Sequence, residues 1–377
     1  MNVKRAYKFR FYPTNDQKDI LAQTFGCARF AYNYMLKART DAYYNEQKRM
    51  GYHETSALLT VLKKQSEFNW LNNVSSVPVQ QALRHLQTAF SNFFAKRNKY
   101  PTYKSKFDKQ AAEYTASAFR FENGILTLAK MKAPLVITWS RTLPKAANLT
   151  TVTVSKDFAG RYFVSLLCDD TVSAKTTVAA SIGVDLGLTN FAVTSNGSKY
   201  QSPQALRNNL EKLALLQQRL SKKKKGSSNR NKARLKVAKL HAKIKDIRKD
   251  FLHKLSTKLI NENQVIAVES LAVSNMLKNR KLAKSISDAS WSEFVRQLEY
   301  KSKCYGRTLI GIDKWYPSSK RCNACGYTLS TLSLNTRTWM CPDCGLNHDR
   351  DLNAAKNILT AGLAGLAFGE NVSPVCI

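Results

Sequence analysis

The first hundred residues pass from an alternating to a helical pattern of hydrophobic positions. Residues 2–12 alternate between hydrophobic and basic side chains, which predicts a strand with one basic face. Pro13 ends this strand, and Thr14 is a suitable cap for a following helix. Pro78 predicts the start of a further helix, whose apolar stripe is Ala82, Leu83, Leu86, Phe90, Phe93 and Phe94. Residues 14–98 are therefore predicted to form a small helical module.

Residues 100–175 are rich in β-forming side chains. The stretches with this composition are FRFENGILTL, PLVITW, TTVTVSK and RYFVSLLC. Turn signals such as Asn123-Gly124 and Ala159-Gly160 separate them. This region is predicted to be a mostly β module, which the strand at residues 2–12 can join.

Short strands and long helices alternate beyond residue 179. Three strands are predicted from ASIGVDLG, NFAVTS and SKYQS, and Asn196-Gly197 is a strong hairpin signal between the last two. Two helices then follow. The first carries Leu210, Leu213, Leu216 and Leu220, and the second carries Leu240, Ile244, Ile247, Phe251, Leu255 and Leu259. The segment between them, SKKKKGSSNRNK, predicts a solvated turn, so the pair should form an antiparallel hairpin with a basic surface.

The last predicted elements complete the order of a known architecture. QVIAVES predicts a buried strand, residues from about Trp291 to Tyr305 a helix, and RTLIGID another strand, with a final helix near Asp349. A three-stranded meander followed by helix, strand, helix, strand and helix is the order of an RNase H-like fold. The cysteine-rich segment would be an insertion before the last helix. The chain is therefore predicted to be an α+β multidomain protein.

The charge balance narrows the possible partners. The chain has 60 Lys and Arg residues and 26 Asp and Glu residues, which gives a formal net charge of +34. The excess positive side chains repel one another unless a polyanion neutralises them. Nucleic acid is the expected polyanion because phosphate contacts supply most non-specific affinity. A membrane surface is the alternative, but we find neither a long apolar span nor a lipid-anchoring amphipathic stretch. With no apolar run of signal-peptide length near the start, the protein is expected to be cytoplasmic.

Four of the eight cysteines have the spacing of a zinc ribbon. Cys322-x2-Cys325 and Cys341-x2-Cys344 are separated by fifteen residues, and a glycine follows the second cysteine of each pair. Four thiolates would complete a tetrahedral shell, so the site would be structural. His348 lies close by but is not needed as a fifth ligand. The alternative is two unrelated thiol pairs.

Three carboxylates at the ends of predicted elements are candidate metal ligands. Asp185 lies near the end of an apolar strand and Glu269 ends another, and a charge in such a place is costly unless it is paired or metal-bound. Asp349 suits the N-cap of the last helix, which would turn Asp351 towards the face carrying Ala354, Ala355 and Ile358. Taken alone, the strand residues could instead face water, and Asp351 could only favour the helix N-terminus.

Oxygen-only ligands favour Mg²⁺ or Mn²⁺ over zinc. Two such ions about 3.5–4 Å apart could activate a water and stabilise the leaving 3′ oxygen of a phosphodiester. We therefore expect a metal-dependent nuclease site.

The motifs resemble those of a known family. GVDLGLTNFAVTSNG, VIAVESL, YPSSKRCNACG, CPDCG and HDRDLNAAKNIL match, in order and spacing, the transposon-encoded TnpB family of RNA-guided DNA nucleases, which is related to the type V CRISPR effectors. The match is specific over residues 179–362 and looser before them. The resemblance implies a RuvC nuclease domain with Asp185, Glu269 and Asp351 as magnesium ligands and catalytic residues. It also implies a guide RNA, one protein per guide, and double-stranded target DNA in a prokaryotic nucleoid.

The resemblance also implies a domain organisation. A β-rich wedge domain would comprise residues 1–12 and 105–178, and a helical recognition module residues 13–104. The RuvC domain would comprise residues 179–317 and 348–365, interrupted by a zinc ribbon at 318–347 that binds target nucleic acid. Residues 366–377 would be a C-terminal tail.

The sequence leaves alternatives for some nucleic-acid contacts and for the function. Gln80 or Gln81 could read adenine edges in a short flanking motif, although packing inside the helix explains either equally well. Lys222, Lys223, Lys224 and Lys225 could face phosphates or simply form a solvated turn. A non-catalytic DNA-binding regulator or a strand-joining transposase could use the same scaffold, but a regulator has no need of three carboxylates.

Overall fold

The computed structural model describes residues 2–144, 148–333 and 335–367. The chain divides into two compact units, Asn2–Thr171 and the part from Val172 onward, and each is described by itself. Within the described residues, no helix combines the length and the apolar character needed to cross a membrane. Residues 368–377 of the predicted tail lie outside this description, and residues 366 and 367 belong to the last helix.

Residues 15–94 of the first unit are mainly helical. The helices are α1 (Asn15–Glu46), α2 (Tyr52–Leu62), a 3₁₀ helix (Ser66–Asn73) and α3 (Ser76–Phe94). Thr14 caps α1 as predicted, and its side chain and that of Gln17 form a reciprocal capping box. The helix predicted from Pro78 begins two residues earlier, because proline fits the first turn, where a missing N–H costs little.

Strands make up the rest of the first unit. They are β1 (Asn2–Phe11), β2 (Gln110–Thr115), β3 (Phe119–Glu122), β4 (Ile125–Leu128), β5 (Ile137–Thr138), β6 (Leu149–Lys156) and β7 (Tyr162–Thr171). One sheet has the order β2-β6-β7-β1-β5, and β3 and β4 form a separate hairpin. β1 pairs antiparallel with β7 along its whole length, which confirms that the N-terminal strand joins the β-rich region. PLVITW forms only the two-residue β5.

The second unit contains a five-stranded sheet with helices and a small cysteine-rich hairpin. Its strands are β8 (Ser181–Leu186), β9 (Ala192–Thr194), β10 (Lys199–Tyr200), β11 (Val265–Glu269), β12 (Thr308–Ile312), β13 (Thr338–Met340) and β14 (Asn347–Asp349). Its helices are α4 (Leu210–Ser221), α5 (Ser228–Glu262), α6 (Val273–Met276), α7 (Ala283–Ala289), α8 (Trp291–Tyr305) and α9 (Arg350–Ala367). The sheet order is β10-β9-β8-β11-β12, in which β8, β11 and β12 are parallel. The predicted element order is confirmed, apart from the short helices α6 and α7, which were not predicted.

The predicted turn between the two long helices is shorter than expected. It was placed on residues 221–232, but α5 already begins at Ser228. The reason is a cap: the Ser227 side chain accepts a hydrogen bond from the backbone N–H of Arg230. The exposed residues 222–226 remain as the connection.

Helix α9 lies unusually close to the sheet. A Cβ atom on Gly183, in the middle of β8, would lie 2.1 Å from the carbonyl oxygen of Ala355 and 2.7 Å from the backbone nitrogen of Leu359. A Cβ on Gly362 would lie 2.7 Å from the Ala267 side chain in β11. Ala354 and Ala355 are fully buried at this contact. The small residues therefore let α9 pack closely on the sheet.

Candidate metal centres

Two of the three predicted carboxylates lie side by side at one edge of the sheet. Asp185 is the fifth residue of β8 and Glu269 is the last residue of β11. These strands are parallel neighbours, and their register ends with Val184 opposite Val268. Asp185 and Glu269 therefore occupy the next position of each strand at the same carboxyl edge. The strands that carry Asp185 and Glu269 are thus neighbours in the sheet.

The third carboxylate lies in the first turn of α9. The Oδ1 atom of Asp349 accepts hydrogen bonds from the backbone N–H groups of Asp351 and Leu352, each at 3.1 Å, so Asp349 is the helix cap, as predicted. The side chain of Asp351 is thus not used for capping. Since α9 packs on β8 and β11, it carries Asp351 towards the other two carboxylates.

The three carboxylates interact electrostatically. Burial raises the pKa of Asp185 well above its ordinary value, and repulsion from Glu269 and Asp351 raises it further. Burial also raises the pKa of Glu269, against the opposing effect of a hydrogen bond from the Ser318 hydroxyl. Glu269 and Asp351 both repel the charge of Asp185, so these residues, which are distant in sequence, lie near Asp185 in the fold.

Two arginines offset this negative charge only in part. The Nη1 atom of Arg337 lies 3.6 Å from Oδ1 of Asp351, and Arg337 and Arg350 both lower the pKa of Asp185. Burial and the neighbouring carboxylates outweigh the two arginines, so the pKa of Asp185 stays raised. Carboxylate oxygens are the ligands that hard cations prefer.

Polar side chains that the sequence reasoning did not single out hold this edge in place. The Ser318 hydroxyl donates to Oε1 of Glu269 at 2.8 Å. Buried Asn357, on α9, donates to the carbonyl oxygen of Ser318 at 2.8 Å and to that of Arg321 at 2.6 Å. Asn353, one turn earlier, also donates to Arg321, at 2.7 Å. The sequence has two asparagines four residues apart on an otherwise apolar helix face, and this pattern could have predicted that they hydrogen-bond to a neighbouring segment.

The four predicted cysteines form a second cluster. Their Sγ atoms, from Cys322, Cys325, Cys341 and Cys344, all lie within 4.8 Å of one another. Among the residues that the structure describes, this is the one group of at least three Cys, His, Asp or Glu side chains gathered closely enough to hold a single ion. The three carboxylates are less tightly gathered. The cysteine cluster is compatible with the predicted structural zinc ribbon.

Each Cys-x-x-Cys pair forms a tight turn that ends in a glycine. Gly326 and Gly345 have positive φ values of 84° and 71°. Their N–H groups donate to the carbonyl oxygens of Cys322 and Cys341, at 3.0 and 2.9 Å. Burial opposes ionisation of Cys322, but backbone N–H groups of Cys325 and Ala324 lower its pKa to about 6. This favours the thiolate form that binds metal.

His348 lies beside this cluster. Its Nε2 atom is 3.0 Å from Sγ of Cys322, and its ring packs on Trp339 with centroids 4.6 Å apart. The four thiols already supply a complete set of ligands. His348 therefore acts as a packing and hydrogen-bonding neighbour of the cluster.

We expect purified protein to contain about one zinc per chain, since four thiolates fill a tetrahedral shell. Cys322→Ser should lose this zinc and lower the melting temperature, and Cys304→Ser, at a half-buried single cysteine on α8, should keep both. Elemental analysis and thermal unfolding measure the two effects. Folded wild-type protein free of zinc would refute the ribbon.

All of the predicted nucleic-acid contacts except Gln81 are exposed. Gln80 is exposed on α3 and Gln81 is half-buried, so packing inside the helix does not account for Gln80. Lys222, Lys223, Lys224 and Lys225 are all exposed after α4. Contact of these residues with phosphates or bases stays a prediction.

Three known families match parts of the chain. Residues 152–280 match a family described as "Probable transposase" (OrfB_IS605), and residues 291–358 match "Cas12f1-like, TNB domain". Residues 1–48 match a family described as "Helix-turn-helix domain". Within Asn2–Lys48, however, the structure has β1 and the single unbroken helix α1, so the described part of this region contains no helix-turn-helix.

Relatives match nearly the whole chain. A Streptomyces pristinaespiralis protein named "Putative RNA-guided DNA endonuclease" is 56% identical over 373 residues, covering 99% of this chain and 92% of the relative. The Escherichia coli K12 protein "Putative RNA-guided DNA endonuclease InsQ" is 32% identical, with coverages of 99% and 96%. Among solved structures, the Cas12f1-sgRNA-target DNA complex matches with a TM-score of 0.58 at 14% identity, covering 95% of this chain and 98% of that one. At this low sequence identity, the similarity to the Cas12f1 complex concerns the fold alone.

Proposed function

The chain belongs to the TnpB family of RNA-guided DNA endonucleases, and on that premise we propose that it cuts DNA at the sheet edge carrying Asp185, Glu269 and Asp351. The observation that carries the proposal is the convergence of these three carboxylates from β8, β11 and α9. Burial, together with repulsion from Glu269 and Asp351, raises the pKa of Asp185, and bound cations would relieve this repulsion.

The donor set fits Mg²⁺ or Mn²⁺. All three side chains offer carboxylate oxygens, the ligands that hard cations prefer. The three carboxylates are less tightly gathered than the four thiols. Two ions suit such an arrangement, because each carboxylate then needs to reach only one of them. The site is therefore proposed to hold two such ions, which would supply an activated water and stabilise the leaving oxygen of a phosphodiester.

The protein's own residues would orient these ligands. Asp185 and Glu269 are fixed by the register of neighbouring strands, and Asp351 by the close packing of α9 on Gly183. The Ser318 hydroxyl holds one oxygen of Glu269, which leaves the other oxygen to bind a cation. Arg337, near Asp351, is placed to attract a phosphate as well as to offset the carboxylates.

The proposed partners are a guide RNA and double-stranded target DNA, with one protein per guide. The net charge of +34 suits two polyanions, and base pairing by the guide would supply sequence specificity. In this proposal residues 179–317 and 348–365 are a RuvC nuclease domain, and the β-rich and helical parts of the first unit are the wedge and recognition modules. Gln80 or Gln81 would read a short flanking motif, and Lys222, Lys223, Lys224 and Lys225 would contact phosphates. The setting would be the nucleoid of a prokaryotic cytoplasm.

Strand joining is the second candidate, because one matched family is described as a transposase. Hydrolysis and transesterification can share the same two-metal chemistry. The products distinguish them, since a transposase joins strands and an endonuclease leaves free ends. A non-catalytic regulator is less well supported, because it would have no use for the carboxylate trio.

The test of guide dependence is to purify the protein from cells expressing its native locus and to sequence the RNA that accompanies it. We expect a discrete RNA that ends in variable sequence, and this RNA should direct cutting of matching DNA. Protein that is free of RNA, or cutting that ignores the RNA sequence, would contradict the proposal and favour the transposase or the regulator.

A further inference from the structure

An exposed tryptophan lies close to the carboxylate edge of the sheet. Trp315 is 80% exposed and follows β12, whose last residue, Ile312, pairs with Glu269. Three residues of chain span at most about 11 Å, so Trp315 lies within that distance of the end of β12. An indole this exposed presents a flat apolar face on which another ring can stack.

The segment around Trp315 is held in place on both sides. The backbone N–H of Trp315 donates to Oδ1 of Asp313 at 2.7 Å. Tyr316 packs partly buried against Ala267, Ile312 and Ile358. Two residues further on, buried Ser318 is bonded to Glu269. The indole is therefore carried on a turn that is anchored to the core and to the proposed site, and it is not part of a loose loop.

The surroundings of the ring match a nucleotide. Lys314 places its Nζ atom over the Trp315 ring, 5.0 Å from the ring centroid, so a positive charge lies against one face of the indole and a base would stack on the other face. Unpaired bases stack on such aromatic surfaces whatever their sequence, while lysine attracts the adjoining phosphate. A paired base within a duplex has no free face to offer, so the occupant must be single-stranded at this position.

We propose that Trp315 stacks on an unpaired base of the DNA strand being cut and so positions the scissile phosphate at Asp185, Glu269 and Asp351. This inference rests on the proposed nuclease function. The base would belong to a nucleotide a few positions from the cut. Trp315 is thus a positioning residue that binds the substrate beside the proposed metal ligands.

Photocrosslinking tests the contact independently of cleavage. The probe is a nine-nucleotide oligothymidine with 5-iodouracil at its centre, bound to the full-length protein with Ca²⁺ in place of Mg²⁺. We expect the crosslink to map to Trp315 and to disappear from that peptide in Trp315→Ala. Crosslinks that map only to other residues would overturn the proposal.

Cleavage kinetics test whether the contact positions the strand. Trp315→Ala should cut a guided target about 5- to 100-fold more slowly, with unchanged target binding, because one stacking contact with a base is lost. Trp315→Phe should recover most of the rate. Tyr300→Ala, which removes an aromatic ring 39% exposed on α8, the helix leading to the opposite end of β12, should cut normally.

The two tests separate the inference from the proposed function. A wild-type rate in Trp315→Ala would overturn positioning even if the crosslink forms. If the wild-type protein itself does not cut, the nuclease proposal fails, and the crosslink alone still decides whether Trp315 binds a base.

Discussion

Asp185→Asn should abolish guided DNA cleavage, lowering the rate by about a thousandfold or more, because it removes the carboxylate charge of a proposed metal ligand, and bound metal stabilises the transition state by several kcal/mol. Glu269→Gln and Asp351→Asn should do the same. Binding of guide RNA and target DNA should be nearly unchanged, since affinity for the phosphate backbone comes from the lysines and arginines. Cleavage and binding assays on the same preparations measure the two effects.

Thermal unfolding separates this loss from a loss of folding. The folded protein raises the pKa of Asp185, so the ionised carboxylate is less favourable in the folded chain than in the unfolded one. Removing its charge should therefore leave the melting temperature of metal-free protein unchanged or higher. Asp349→Asn is the matched control, because asparagine keeps the helix cap and Asp349 lies outside the trio. Full cutting by any of the three variants would remove that residue from the site.

Gly183→Ala should destabilise the second unit by about 3 kcal/mol or more and reduce cleavage strongly. The added Cβ would lie 2.1 Å from the carbonyl oxygen of Ala355, a backbone atom that cannot rotate away. Helix α9 must then move from the sheet and carry Asp351 with it. Denaturant unfolding measures the loss of stability, and cleavage assays measure the loss of activity.

Gly26→Ala is the matched control for this substitution. Gly26 lies within α1, and its added Cβ would meet no atom within 4 Å. Alanine there should be neutral or slightly stabilising, since it favours the helix. A Gly183→Ala protein as stable and as active as wild type would mean that α9 does not depend on this close approach.

Local signals carried most of what could be predicted from the sequence. The two Cys-x-x-Cys pairs with their glycines predicted a cluster that the structure does form, because each turn is specified by a few adjacent residues. Asp185 and Glu269 were marked by position alone, as charges at the ends of apolar strands. Parallel pairing of those strands then makes them neighbours, so element order was enough to bring them together.

Features that depend on side chains meeting across the fold were not predictable. Ser318 supports Glu269 only because the chain after β12 turns back over the sheet edge, and Asn357 holds that turn from α9. The exposure of Trp315 likewise depends on how its neighbours are anchored. The early start of α5 was missed because serine, lysine and asparagine are common in both turns and helix ends.

The most direct test of the carboxylate site is a crystal structure of the protein in Mn²⁺, with anomalous scattering used to locate the ions. We expect two Mn²⁺ peaks bound by oxygens of Asp185, Glu269 and Asp351, and loss of one or both in crystals of Asp185→Asn. Saturating Mn²⁺ with no peak at these residues, or with peaks only at other acidic side chains, would contradict the account.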